Sequence, residues 1–379
     1  MKQQLLTKLQ QIAEQNIADI EAHKKAGNHV IGFYCLYAPT ELAVAADAIP
    51  LSLCGTRQTP IEAAEETLPR NLCPLIKSSF GFAITDTCPF FRFSDIIVAD
   101  TTCDGKKKMF EIMSAIKPVH VLQLPQQQDF KMFLEPWKNE IKKLKSVIEK
   151  ATGKKITKGK IKKAIQLLNK VRKTRKKLMD VAKTKPSPVT GMELVEILFK
   201  TGFFADKQKG IDFMNEIIEE CHAMIDHGES PYNVKTYRIL LTGVPIGIGS
   251  EKVVKIIEES GGNVVAFESC SGYKQTFQVD ETIDPFQALS EQYLSIPCSV
   301  MSPNPKRIDL LDEMIREFAV DGVVDLTWQA CHTYNIEAVT IQKYIQDHFR
   351  LPYLHLETDY SESDTEQLRV RIEAFLEMI

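Results

Sequence analysis

Residues 94–116 read SDIIVADTTCDGKKKMFEIMSAI, and residues 320–339 read VDGVVDLTWQACHTYNIEAV. Both pass from an aspartate through a short β-branched run and a small polar turn to a cysteine, then continue as helix formers. A short apolar run bounded by turn residues and followed by a helical pattern is what a parallel strand and its crossover helix look like. Each block leads into another apolar run, HVLQLP at 120–125 and PYLHLETDY at 352–360. The self-similarity fits an old duplication or a convergent two-unit site. The expected fold class is therefore α/β: two Rossmann- or flavodoxin-like parallel-sheet domains with a cleft between them.

The flanking sequence fills in both units. HVIGFYC (29–35) and IPLSLCG (49–55) read as buried strands ending at Cys35 and Cys54, with Thr40 placed to cap a helix over APTELAVAADA (38–48). Cys73 and Cys88 each precede a proline, in NLCPLIKSSFGF (71–82) and DTCPFF (86–91). Proline suits the first position of a helix, so a helix is expected to open at each. In the second unit, GNVVAFESCSG (262–272) is a strand ending at Cys270, and IPCSVMSPNP (296–305) carries Cys298. TGVPIGIGSEK (242–252) resembles a phosphate-cradling turn through Gly243, Gly247 and Gly249. It matches neither the Walker spacing nor the dinucleotide fingerprint, so a plain strand-to-helix turn is expected.

Between the units, residues 138–183 are nearly all helix formers and lysine, with Ile161, Ile165, Leu168 and Val171 as an apolar stripe. Interleaved aromatics are missing and the whole chain carries a net charge of -3, so a solvated helical lid with its apolar face on the core is expected rather than a nucleic-acid surface. The domains are expected at 1–130 (with a leading helix), 131–232 (helical insertion) and 233–379. No apolar run approaches the roughly 20 residues of a membrane span. The N-terminal stretch is an amphipathic helix pattern without the features of a signal peptide, which points to the cytoplasm.

In that compartment thiols stay reduced, so nine cysteines favour ligands or buried thiols over disulfides. Open parallel sheets bind ligands beyond the carboxyl ends of their strands, where Cys103, Cys270 and Cys331 are expected. Helix N-termini at Cys103 and Cys331 favour thiolate. The wide spacing excludes a ferredoxin run or a zinc ribbon, and permits a metal cluster in the cleft with ligands from each domain. Any one cysteine taken alone is a small buried hydrophobe. Cys54 and Cys221 keep that reading, and His222 does not share a helix face with Cys221. His332 is open between a hydrogen bond to sulfide or substrate and a capping or packing role. Asp104 is placed to cap the helix after Cys103, and Lys106, Lys107 and Lys108 either lie near an anion or face solvent.

FYCLYAPTELAVAADAIPLSLC (33–54), LPRNLCPLIKSSFGF (68–82), TTCDGKKKMFE (101–111), QACHTYNIEA (329–338) and LHLETDYS (354–361) resemble the 2-hydroxyacyl-CoA dehydratase D-component family. The resemblance covers most of the chain. It implies an enzyme: an ATP-dependent iron–sulfur reductase or an (R)-2-hydroxyacyl-CoA dehydratase. It also implies that Cys73, Cys103 and Cys331 hold a [4Fe-4S] cluster, reduced by a separate ATP-hydrolysing iron–sulfur activator. Cys88, Cys270 and Cys298 look like the additional cysteines of the double-cubane branch. There, six cysteines hold an [8Fe-9S] cluster of two cubanes joined by a sulfide. Cys35 is the rival for a place in that set. The branch implies a homodimer that reduces small unsaturated or nitrogenous molecules, with His332 the candidate proton donor. The alternatives are a dehydratase subunit with one [4Fe-4S] cluster, and a cluster-bearing electron carrier without catalysis.

Overall fold

The computed structural model describes residues 3–379. A leading helix α1 (Gln3–Lys25) is followed by β1 (Val30–Phe33), α2 (Glu41–Ala45), β2 (Ile49–Ser52), α3 (Ile61–Ala64), α4 (Pro74–Thr85), α5 (Pro89–Phe93), β3 (Ile96–Asp100), α6 (Asp104–Met113) and β4 (Val119–Leu122). Four helices come next: α7 (Phe130–Thr152), α8 (Lys158–Asp180), α9 (Gly191–Gly202) and α10 (Lys207–Asp226). The chain ends with β5 (Tyr237–Gly243), α11 (Lys252–Glu259), β6 (Gly262–Phe267), α12 (Pro285–Leu294), α13 (Pro305–Glu317), β7 (Gly322–Trp328), α14 (His332–Phe349), β8 (Tyr353–Thr358) and α15 (Thr365–Glu377).

The eight strands form two parallel sheets, ordered β2-β1-β3-β4 and β6-β5-β7-β8. The two orders are the same, so the likeness of the two sequence blocks extends to the topology. Both β3 and β7 are buried along their whole length, as strands covered by helices on both faces must be. In each sheet the connections reverse direction between the first and third strands of the unit. That point, beyond the carboxyl ends, is where open sheets bind ligands.

The lysine-rich helices behave as an apolar-faced cover. Trp137, Ile141, Leu144 and Ile148 recur at helical spacing on α7 and are fully buried, as is Ile161 on α8. Each such side chain is worth about 2 kcal/mol on burial, far more than the exposed lysine pairs opposite. Arg238, buried on β5, ties this cover to the second sheet by donating to the carbonyls of Ala182 (2.7 Å) and Phe318 (2.8 Å).

Three local expectations are corrected. The strands before Cys35 and Cys54 stop at Phe33 and Ser52, and Cys35 takes a left-handed conformation, φ 67°. Thr40 stands at the N-cap of α2 but is itself helical and makes no side-chain capping bond. Cys103, not Asp104, is the N-cap of α6. The glycine-rich turn is a plain turn, as expected, because its amides are spoken for. Ile246 N–H donates to Ser271 Oγ (3.1 Å) and Gly247 N–H to Ser250 Oγ (3.0 Å). Gly243 is required there: its φ is +104°, and a Cβ would lie 2.1 Å from the Leu326 carbonyl oxygen. Gly243→Ala is expected to cost about 1–3 kcal/mol, read as a lower urea midpoint. An unchanged midpoint would show that β5 and β7 tolerate separation. Among the described residues no helix is long and apolar enough to cross a membrane.

Candidate metal centre

Seven cysteines line one cavity of about 380 Å³ between the two sheets: Cys35, Cys54, Cys73, Cys103, Cys270, Cys298 and Cys331. The fold delivers them from corresponding places. Cys54 and Cys270 follow the edge strands β2 and β6. Cys103 and Cys331 lie three residues beyond the ends of β3 and β7, each at the N-cap position of the next helix, where the Cys103 sulfur accepts from Lys106 N–H. Cys35 follows β1, and its counterparts after β5, Val244 and Pro245, line the same cavity without a thiol. Cys73 caps α4, with Pro74 at the first helical position as the Cys-Pro pair predicts, and Cys298 lies in the loop between α12 and α13.

Of the six cysteines expected as ligands, five meet here. Cys88 does not line the cavity; it caps the short helix α5, with Asp86 and Arg57 as its charged neighbours. Cys221 is completely buried in α10 and His222 is exposed, in keeping with a packing role. Cys54, expected to pack as well, is instead a cavity thiol. His332 opens α14 and is exposed at the cavity wall. Three hydrogen bonds join the two units near the cavity. Tyr37 donates to the Ile296 carbonyl (3.0 Å), Thr56 to Ile248 (2.9 Å) and Tyr360 to Gly55 (3.0 Å).

The family model described as 2-hydroxyglutaryl-CoA dehydratase, D-component, matches residues 35–379. The chain belongs to this family. It is 43% identical over 359 residues to the "Putative dehydratase subunit YjiM" of Escherichia coli (strain K12), covering 94% of this chain and 93% of that one. It is 25% identical to the (R)-phenyllactyl-CoA dehydratase beta subunit of Clostridium sporogenes, over 94% of this chain and 93% of that one. It is 22% identical to a benzoyl-CoA reductase subunit of Thauera aromatica, over 75% of this chain and 70% of that one. Family membership makes this chain an enzyme component of the dehydratase and reductase class.

The thiols of this D-component suit a cluster better than a single ion. Among the described residues no three Cys, His, Asp or Glu side chains come together closely enough to hold one metal ion. In an iron–sulfur cluster each thiolate binds a different iron, so the sulfurs surround a volume rather than a point. All nine cysteines are free, so no disulfide competes for these sulfurs. Burial pushes the thiols of Cys35 and Cys73 up, and that of Cys331 up to about 12. These thiols hold their protons until a cation arrives to displace them. Cys270 and Cys298 are close neighbours whose titrations oppose each other: Cys270 is pushed up, and Cys298, with Lys274 and Lys106 nearby, is pushed down.

Basic and acidic groups surround this set. Lys106 lines the cavity. Burial opposes its charge, but Cys35, Cys54 and Cys103, once ionised, together with Asp100 outweigh that and hold it well above the ordinary lysine range. Lys107 and Lys108 pair instead with Asp104 (3.5 Å) and Glu111 (2.5 Å) on the outside of α6. Lys274 reaches Tyr334 Oη (3.4 Å), which lies 3.9 Å from Cys298 Sγ. Asp100, fully buried at the end of β3, has neither carboxylate oxygen within hydrogen-bond geometry, and burial pushes it up to about 7. Lys106 was findable from sequence, because it sits three residues after Cys103 on the same helix face. Asp100 reads as an ordinary strand residue, and no signal marks it.

Proposed function

We propose that this chain is an iron–sulfur reductase component holding a double-cubane [8Fe-9S] cluster in the cysteine cavity. In this reading it works as a cytoplasmic homodimer, receives electrons from a separate ATP-hydrolysing iron–sulfur activator, and reduces small unsaturated or nitrogenous molecules. The observation that carries the reading is the gathering of seven cysteines, four from the first unit and three from the second, around one cavity. A single cubane takes at most about four thiolates, fewer than the thiols that line this cavity.

We assign Cys73, Cys103 and Cys331 to one cubane. Cys270 and Cys298 belong to the other, with Cys35 in place of Cys88, because Cys35 neighbours both of those thiols. The bound cluster supplies low-potential electrons. The chain's own residues do the rest: Lys106 offsets the negative charge of a thiolate-bound cluster, and His332 at the wall is the candidate proton donor.

The names of the relatives favour a second reading, a 2-hydroxyacyl-CoA dehydratase subunit with one [4Fe-4S] cluster and a different partner protein. Iron and acid-labile sulfide per chain, measured on anaerobically purified protein, separate the two. About eight irons are expected here, about four support the dehydratase, and none sinks both. A pure electron carrier would accept electrons from the activator without turning over any small molecule.

A further inference from the structure

Two smaller cavities adjoin the cysteine cavity, and Cys35 stands in the walls of all three. The larger of the two, about 160 Å³, lies under the helical cover. Arg172, Arg175, Lys207 and Lys274 line it, and no aspartate or glutamate is among its lining residues. Two of these cations are neutralised elsewhere. Arg172 pairs with the fully buried Glu41 (2.7 Å), and Lys274 with the fully buried Glu268 (2.6 Å).

Arg175 and Lys207 are not neutralised. Arg175 is 5% exposed, and its Nη2 donates only to the carbonyls of Leu198 (3.0 Å) and Ser271 (3.3 Å), while its Nε has no partner. Lys207 donates to the Phe204 carbonyl (2.7 Å). Neither forms an ion pair among the described residues, and Lys207 lies in the field of Arg175. Burial lowers Arg175 to about 10. Burial, then the Arg175 charge, lower Lys207 to about 8 against the opposing field of Asp206, whose carboxylate accepts from the Gln208 and Lys209 amides rather than from Lys207. Two cations facing one cavity that no carboxylate lines are costly unless an anion fills it.

We propose that this side cavity binds a small carboxylate or oxoanion, held by Arg175 and Lys207 and presented toward Cys35. The anion's role as substrate rests on the cluster reading; its binding does not.

Gly202 allows a test that removes no cation. It lines the same cavity, and a Cβ there would meet nothing within 4 Å. Gly202→Asp places a carboxylate where the anion would sit. Acetate, nitrite and inorganic phosphate are titrated into the full chain by calorimetry and thermal denaturation at constant ionic strength, with chloride as reference, with and without iron. At least one is expected to bind saturably and raise the melting midpoint. Arg175→Met and Lys207→Met should weaken that binding at least tenfold. Gly202→Asp should abolish it and raise the midpoint of the anion-free protein, with iron content unchanged in all three. No saturable binding beyond chloride, or wild-type binding by Gly202→Asp, overturns the proposal. Iron content fails separately if the cluster reading is wrong, because the anion titration of the iron-free chain does not depend on it.

Discussion

Cys270→Ser is expected to remove about half of the iron from the anaerobically purified chain, and substrate reduction should fall about a hundredfold or more. Cys298→Ser should behave alike, since the two thiols are close neighbours and line the same cavity. Cys35→Ser should also lose iron, while Cys88→Ser should retain it, because Cys88 is held at the cap of α5 away from the cavity. Cys221→Ala is the control: completely buried in α10, it should alter stability without altering the visible spectrum. Full iron and an unchanged spectrum in both Cys270→Ser and Cys298→Ser would sink the six-ligand assignment.

The second large effect is on stability. Glu268 is fully buried at the end of β6, where it accepts from Lys274 (2.6 Å), Thr242 (2.9 Å) and Arg307 Nε (3.3 Å). Both cations are also buried. Removing one partner of a buried network leaves its charges uncompensated, at about 3–5 kcal/mol. Glu268→Ala should lower the unfolding free energy by that amount in urea titrations, whereas Lys108→Ala, which breaks an exposed pair, should stay within about 0.5 kcal/mol. Equal effects would mean that the buried network contributes nothing special. Burial alone would raise the Glu268 carboxyl, but Lys274 and Arg307 outweigh it and hold it below the usual glutamate range. Its share of stability is thus fully present at neutral pH and is lost only as pH falls through that depressed value.

What could be read in the chain followed local rules. The runs before Cys103 and Cys331 have strand periodicity, a turn and a helix start in the right order, so both cysteines could be placed at strand ends in advance. Cys73 was legible because proline after it marks a helix opening. What stayed hidden depends on distant partners. Cys54 looks like one more apolar strand residue. It joins the site because the segment behind it is pinned across the cleft, through Thr56 to Ile248 and Gly55 to Tyr360. Cys88 carries the same Cys-Pro signal as Cys73, but α5 turns its cap away from the cleft. Arg175 and Lys207 were invisible for a different reason. They sit among many similar residues, and only the fold shows that most neighbours find carboxylates or solvent while these two do not.

The bonds that shut the cleft have a consequence for durability. Tyr37, Thr56 and Tyr360 each join one unit to the other across the cysteine cavity. A break at one of them relaxes the wall shared by sulfurs from both sheets. The sulfurs of one sheet are therefore held in register with those of the other by this seam, and a group bound by both should be released at the rate at which the seam opens.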